Sequence, residues 1–199
     1  MSNDALLDVN EYRRLAKKPF LSNGEWCWIN IPKCASKKIT KIVAAGWKEV
    51  DFQSAQQLKT FAVIRDPYER FLSGINEYKL RRNRKESVGE LIETWWDQPG
   101  NFDEHLIPQS DFLGGFDDTL LVPIDNIIDT LVEAGIISQL TDQYQSIKKN
   151  PTSKFDQLND FLVNKRELLD EIVHRDYAQD LETWRLFIKS SKNSCNRNP

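Results

Sequence analysis

Glycine is scarce in this sequence, with 8 residues in 199, and none lies between Glu25 and Ala45. The GxxxxGK[ST] loop that cradles a nucleoside triphosphate is therefore missing from the one stretch where a strand runs into a lysine-rich helix. Cys34 follows Lys33 where that pattern needs the Mg²⁺-holding Ser or Thr, so triphosphate hydrolysis is disfavoured. Cysteine is also rare. Cys27, Cys34 and Cys195 are odd in number and lack a repeated CxxC spacing, which points away from a disulfide scaffold or a zinc site and towards a reducing, cytoplasmic setting. No metal is expected. Histidine occurs twice, at 105 and 174.

No stretch approaches the roughly 18 apolar residues that span a bilayer. The N-terminus, MSNDALLDVNEYRRLAKK, mixes charges into its first turns; it reads as an amphipathic helix rather than an export signal. A surplus of positive charge is missing as well. With 27 basic and 30 acidic side chains, the net charge is -3, whereas general nucleic-acid binders gain affinity from an excess of Lys and Arg. At 40% hydrophobic residues, the chain can fill the core of a single domain covering 1–199.

What the sequence does contain is a strand and helix alternation. Residues 26–31 (WCWINI), 59–64 (KTFAVI) and 118–124 (DTLLVPI) are short and rich in β-branched and aromatic side chains, and they read as strands. Helices are expected from Ser36, from Pro67, over 87–97 and from about Asp125. Asp66 supplies an N-cap, Pro67 stands at N1 and Glu69 is placed for a capping box. Beyond Pro151 the pattern is helical, with Phe155, Leu158, Phe161 and Leu162 in one segment and Tyr177, Leu181, Trp184 and Phe187 in the last. The expectation is an α/β fold with a central, mostly parallel sheet flanked by helices, closed by a helical C-terminal part; the tail SSKNSCNRNP reads as frayed.

Between the first strand and its helix stand Lys33, Ser36, Lys37, Lys38 and Lys41. A helix start already carries unpaired amides and partial positive charge, so added lysines are unfavourable there unless an anion sits among them. Phosphate or sulfate is the natural occupant; the competing reading is a solvated helix face. In FAVIRDPYERFLSGINEY, 61–78, Arg65 ends a strand and Ser73 lies eight positions on. Arginine can hold a phosphate with two parallel charge-assisted hydrogen bonds, and a serine hydroxyl can complete the contact.

IPKCASKKI (31–39) and IRDPYERFLSGINEY (64–78) resemble the two cofactor-binding motifs of sulfotransferases that use 3′-phosphoadenosine 5′-phosphosulfate (PAPS), particularly the carbohydrate sulfotransferase branch. HLIPQSDFL (105–113) is similar to that branch's His-x-x-Pro-Gln segment, and YAQDLETW (177–184) to its Tyr-x-x-Asp segment. The resemblance implies a P-loop-like three-layer fold. It implies that Lys33 and Ser36, with the loop amides of Cys34, Ala35, Lys37 and Lys38, hold the 5′-phosphosulfate, while Arg65 and Ser73 hold the 3′-phosphate. Lys37 and Lys38 stand where many relatives have hydroxyl residues, which removes hydroxyl ligands and adds charge.

Sulfuryl transfer needs an acceptor oxygen in line with the departing phosphate oxygen, and a cation on the leaving group. Lys33 is the cation of choice. The product would be adenosine 3′,5′-bisphosphate (PAP), and the acceptor a hydroxyl, with saccharides the first class to consider. His105, in a Pro-containing loop, is preferred as general base; Glu77 and Glu104 compete, and His174 falls within a helical pattern. The basic run KLRRNRK (79–85) and the rings of Trp95, Trp96 and Trp184 have bland readings as a solvated helix end and as packing. Two alternatives stay open: a kinase on a related phosphate-binding scaffold, and a nucleotide-binding protein that has lost transferase activity.

Overall fold

The computed structural model describes residues 9–16, 18–43, 46–99, 103–138 and 165–195. The segment carrying Phe155, Leu158, Phe161 and Leu162, like the first eight residues, lies outside them. The described residues form two compact units, one drawn from residues 9–64 and 112–138 and one from residues 65–111 and 165–195.

The first unit holds a five-stranded sheet in the order β3-β1-β2-β4-β5. Its strands are β1 (Phe20–Ser22), β2 (Trp26–Ile29), β3 (Lys48–Glu49), β4 (Lys59–Ile64) and β5 (Leu120–Pro123). β2, β4 and β5 run parallel, with Ile29 beside Ala62 and Val63 beside Val122. β1 is antiparallel to β2 and to β3. The expected mostly parallel sheet is thus a mixed one. The cause is local: Asn23-Gly24 turns β1 back onto β2, with Gly24 at φ 95° and Asn23 Oδ1 accepting from the amides of Glu25 and Trp26 at 3.0 and 2.8 Å. An Asn-Gly pair between two apolar runs favours such a hairpin because Gly adopts positive φ at no steric cost and the Asn side chain caps the turn amides.

β4 is buried along Thr60–Ile64, as expected of a strand covered on both faces, and it reads as a continuous apolar run rather than an alternating one. Helix α1 (Val9–Leu15) is tied to the same unit through Arg13. Its guanidinium donates to the carbonyls of Phe112 and Gly114 at 2.9 and 3.1 Å and lies 4.8 Å from the Phe52 ring centroid. α2 (Ser36–Val43) buries Ile39, Ile42 and Val43 and leaves Lys37 and Lys41 exposed. α3 (Phe52–Ala55) precedes β4, and α7 (Ile127–Glu133) follows β5 through a 3-10 turn at Ile124–Asn126.

The second unit is helical: α4 (Pro67–Arg81), α5 (Val88–Asp97), α8 (Arg166–Asp176) and α9 (Ala178–Cys195), with α6 (Gln109–Leu113) entering from its N-terminal end. Its core joins Phe71, Ile75, Leu91, Ile172 and Tyr177. Phe71 meets the rings of Trp95 and Tyr177 edge-on, with centroids 5.8 and 5.6 Å away, a geometry favoured by the ring quadrupoles. The expected Asp66 cap forms without its capping box, because the Glu69 side chain turns to Arg65. Asp66 accepts from the amides of Tyr68 and Glu69, and Ser87 with Glu90 makes a reciprocal capping box. The last helix continues through Cys195, where no Gly or Pro interrupts it.

Candidate functional site

In the sheet unit, the chain leaves β2 through Asn30–Ala35 and enters α2 at Ser36. Lys33 and Ala35 adopt left-handed backbone, φ 68° and 59°, although neither is glycine. Each such residue costs about 1–2 kcal/mol relative to ordinary backbone. Left-handed residues among right-handed ones turn successive amides towards a common centre, the concave arrangement that binds anions. Cys34 N donates to Ile31 O at 3.2 Å, and Lys38 N and Ile39 N both donate to Ala35 O at 2.8 and 3.0 Å. The amides of Ala35, Ser36 and Lys37 have no partner among the described residues. No acidic residue occupies the first turn of α2, so the positive end of the helix is uncompensated by its own sequence.

The side chains divide. Lys33 and Lys38 are half-buried and Lys37 is exposed, whereas Cys34 is 1% exposed and points into the core. Ser36 Oγ donates its single proton at 2.6 Å to Asn30 Oδ1, with Ile31 O at 3.1 Å. In this arrangement Ser36 contributes an amide rather than a hydroxyl, and the hydroxyl instead braces the loop.

In the helical unit, Arg65 is held at every level. Gln109, 4% exposed, accepts from Arg65 N at 2.9 Å and donates from Nε2 to Arg65 O at 2.9 Å. Arg65 Nε donates to Glu69 Oε2 at 3.1 Å; Glu69 thus turns to Arg65, the residue preceding the cap. The Arg65 side chain is 15% exposed, and its two Nη groups have no partner among the described residues. The α4 start itself is closed, because the Asp66 carboxylate fills it. Ser73 lies half-buried two turns into α4.

Asp180, 2% exposed, accepts from Gln109 N and Ser110 N, each at 2.7 Å, one through each oxygen. Tyr177 donates its hydroxyl to Leu106 O at 2.5 Å. Burial pushes the Tyr177 pKa upward, with Arg70 pulling it down and Asp176, Asp180 and Asp111 pushing it further up. The blocks at 65, 105–109 and 177–180 are therefore one hydrogen-bonded assembly. Tyr177, Gln109 and Asp180 work as supports: none is exposed enough to be a ligand group, and each holds another part of the assembly.

His105 sits in a 3-10 turn, Glu104–Leu106, opened by Asp103. Asp103 Oδ1 lies 2.8 Å from His105 Nδ1 and accepts from His105 N at 3.1 Å. Asp103 is 7% exposed. Its burial pushes the carboxyl pKa up, but the His105 hydrogen bond and charge, with Arg81 beyond, leave it below the ordinary value. Sequence reasoning passed over Asp103; its spacing to His105, two positions ahead at a tight turn, was the available signal. Glu104 Oε1 accepts from Arg81 at 2.8 Å and is occupied as an ion pair. Glu77 is half-buried on α4, and His174 is exposed on α8. Asp103, Glu104 and His105 bring ligand-type atoms within 4.8 Å of one another. Each of their contacts just described satisfies a group of the protein itself.

The close approach of this turn to α4 depends on Gly74: a Cβ there would stand 2.7 Å from His105 O and 2.7 Å from Leu106 Cδ2. Three cations of the basic run are paired, Arg81 with Glu104, Arg84 with Glu86 and Lys79 with the Glu86 carbonyl, while Arg82 and Lys85 are exposed. The tryptophans pack: Trp95 Nε1 donates to Asp176 at 2.8 Å, Trp96 lies under Arg175 and Trp184 stacks on Phe187. No helix among the described residues is long and apolar enough to cross a membrane. Comparison with protein-family models, curated proteins and solved structures returned no significant match.

Proposed function

We propose that the chain is a PAPS-dependent sulfotransferase with a P-loop-like three-layer fold, transferring a sulfuryl group to an acceptor hydroxyl, with saccharides the first acceptor class to test. The observation that supports it most is the linkage of the separated sequence blocks: Asp180 holds the start of α6, and Gln109 from that start clamps the backbone of Arg65. Residues singled out by resemblance alone thus meet in one assembly whose outlet is a fixed guanidinium. In this reading the Arg65 Nη groups and Ser73 receive the 3′-phosphate, a bidentate role that suits arginine. Lys33 and the amides of Ala35, Ser36 and Lys37 receive the 5′-phosphosulfate.

In the transfer step the acceptor oxygen forms a bond to sulfur as the bond from sulfur to the bridging phosphate oxygen breaks. The electron pair of that bond leaves on adenosine 3′,5′-bisphosphate, and Lys33 neutralises the charge that develops there. The acceptor's proton passes to His105. Glu104 is the weaker choice of base, because its carboxylate is paired to Arg81. No metal ion is required by this scheme.

Ligand-induced stabilisation tests the reading. Adenosine 3′,5′-bisphosphate at 100 times its Kd should add about 2.7 kcal/mol, and AMP at the same concentration far less, because only the former carries the 3′-phosphate. Equal thermal shifts for the two nucleotides would remove the assignment. A transfer assay with radiolabelled PAPS against a panel of hydroxyl acceptors then separates a transferase from a protein that binds the nucleotide alone.

A further inference from the structure

We propose that Asp103 is a positioning residue for His105: it holds the proton on Nδ1 and leaves Nε2 as the basic atom offered to the acceptor hydroxyl. This rests on the reading of His105 as the general base. The two ring nitrogens of a neutral imidazole differ, and the partner of one decides which of them is basic. Here the 2.8 Å separation of Asp103 Oδ1 from Nδ1 makes that choice, since an ionised carboxylate only accepts. The same oxygen accepts from His105 N at 3.1 Å, so backbone and ring are fixed by one group.

The surroundings leave Asp103 as the partner. Glu104 Oε1 is 3.7 Å from the same nitrogen but accepts from Arg81 at 2.8 Å. Tyr177 anchors the turn through Leu106 O, and Gly74 allows it to lie against α4. The His105 side chain is 12% exposed, which restricts its approach to one edge. When Nε2 takes the acceptor's proton, as the new oxygen–sulfur bond forms and the bond from sulfur to the bridging phosphate oxygen breaks, the ring becomes an imidazolium. The buried Asp103 carboxylate then faces that positive charge and stays ionised.

The tautomer can be read without any acceptor. In a His174→Gln background, which removes the exposed second histidine, ¹⁵N–¹H correlation spectra of the ring should show neutral His105 protonated at Nδ1. Asp103→Ala should convert it largely to the Nε2–H form. Asp103→Asn keeps an acceptor for His105 N and so protects the fold; in it the Nδ1–H resonance should move upfield as a charge-assisted bond becomes a neutral one. An Nε2–H tautomer in the parent, or an Nδ1 signal unmoved in both variants, overturns the proposal.

With an acceptor in hand, His105→Ala should lower kcat by about 10²–10⁴-fold and Asp103→Asn by about 10²-fold, with KM little changed. The double variant should be no slower than His105→Ala alone, because the two act as one unit; multiplicative losses would overturn the pairing. If the tautomer result holds while adenosine 3′,5′-bisphosphate fails to bind, the sulfotransferase reading falls and the role of Asp103 at His105 stands.

Discussion

The starts of α2 and α4 are built in opposite ways. Both helices follow a parallel strand, and both begin in a segment singled out as anion-binding. At α4, Asp66 places its carboxylate on the amides of Tyr68 and Glu69, so the helix end is satisfied before any ligand arrives. At α2 no acid is present in the first turn, the amides of Ala35, Ser36 and Lys37 have no described partner, and two non-glycine residues hold left-handed backbone. One segment offers backbone at a local conformational cost. The other offers a side chain, Arg65, whose backbone and Nε are fixed by Gln109 and Glu69. A helix N-terminus is therefore an anion site only where its own sequence leaves it open.

The sharpest way to break this contrast is to remove the support on the α4 side. Asp180→Ala leaves the buried Gln109 amide and the part-buried Ser110 amide without their charged acceptor; a loss of about 3–5 kcal/mol is expected. Urea unfolding should show a lower midpoint with an unchanged m-value. Weakened binding of adenosine 3′,5′-bisphosphate should accompany it, since Gln109 would no longer be fixed under Arg65.

Gly74→Ala should cost about 1–3 kcal/mol, because the added Cβ meets the backbone carbonyl of His105 as well as the Leu106 side chain. Thermal unfolding measures the loss. An unchanged midpoint would show that the 103–106 turn can move away from α4 at little cost.

Tyr177→Phe should cost about 1–2 kcal/mol near neutral pH, through the unsatisfied Leu106 carbonyl. The variant should also flatten the alkaline limb of the stability curve. Tyr177 has its pKa raised by burial from an ordinary 10.0, so its contribution is complete below pH 10 and lost above it, where the unfolded chain ionises and the folded one resists. Cys27, pushed from 9.0 to about 12 by burial, acts in the same direction from about pH 9. At the acid end, the depressed Asp103 contributes stability that is present above its unfolded value of 3.8 and lost as pH falls through the lower folded value. Asp103→Asn should remove that part of the acid limb, as followed by circular dichroism.

The smallest effect is expected on the α2 side. Ala35→Gly relieves about 1–2 kcal/mol of left-handed strain and adds about 0.5–1 kcal/mol of unfolded-chain entropy, for a net gain below about 1 kcal/mol. A clear loss in thermal stability would mean that the Ala35 methyl packs usefully and that its backbone is not strained.

Local signals made much of this legible. The cap at Asp66 depends on residues three apart or fewer, and the run KTFAVI contains enough β-branched and aromatic side chains to announce a buried strand; both formed at the expected positions, and the helix expected over 87–97 spans Val88–Asp97. Asn23-Gly24 was an equally local signal for the β1–β2 hairpin and went unused, which is why the sheet was expected to be mostly parallel. β3 gave no signal of its own: Lys48 and Glu49 are both exposed and pair with β1 only through backbone.

The sequence by itself determined an α/β chain, the helix starts, and the presence of lysine and arginine where strands end, because each follows from neighbours along the chain. Only the tertiary structure decided what those residues are for. Tyr177, Gln109 and Asp180 are separated by up to 71 positions and became supports for the Leu106 turn and for Arg65. Asp103 acquired its meaning from a ring nitrogen 2.8 Å away, and the Ser36 hydroxyl was turned inward to Asn30. Hydrogen-bond partners of this kind are selected by burial, where an unmet polar group is costly, and burial belongs to the folded chain as a whole.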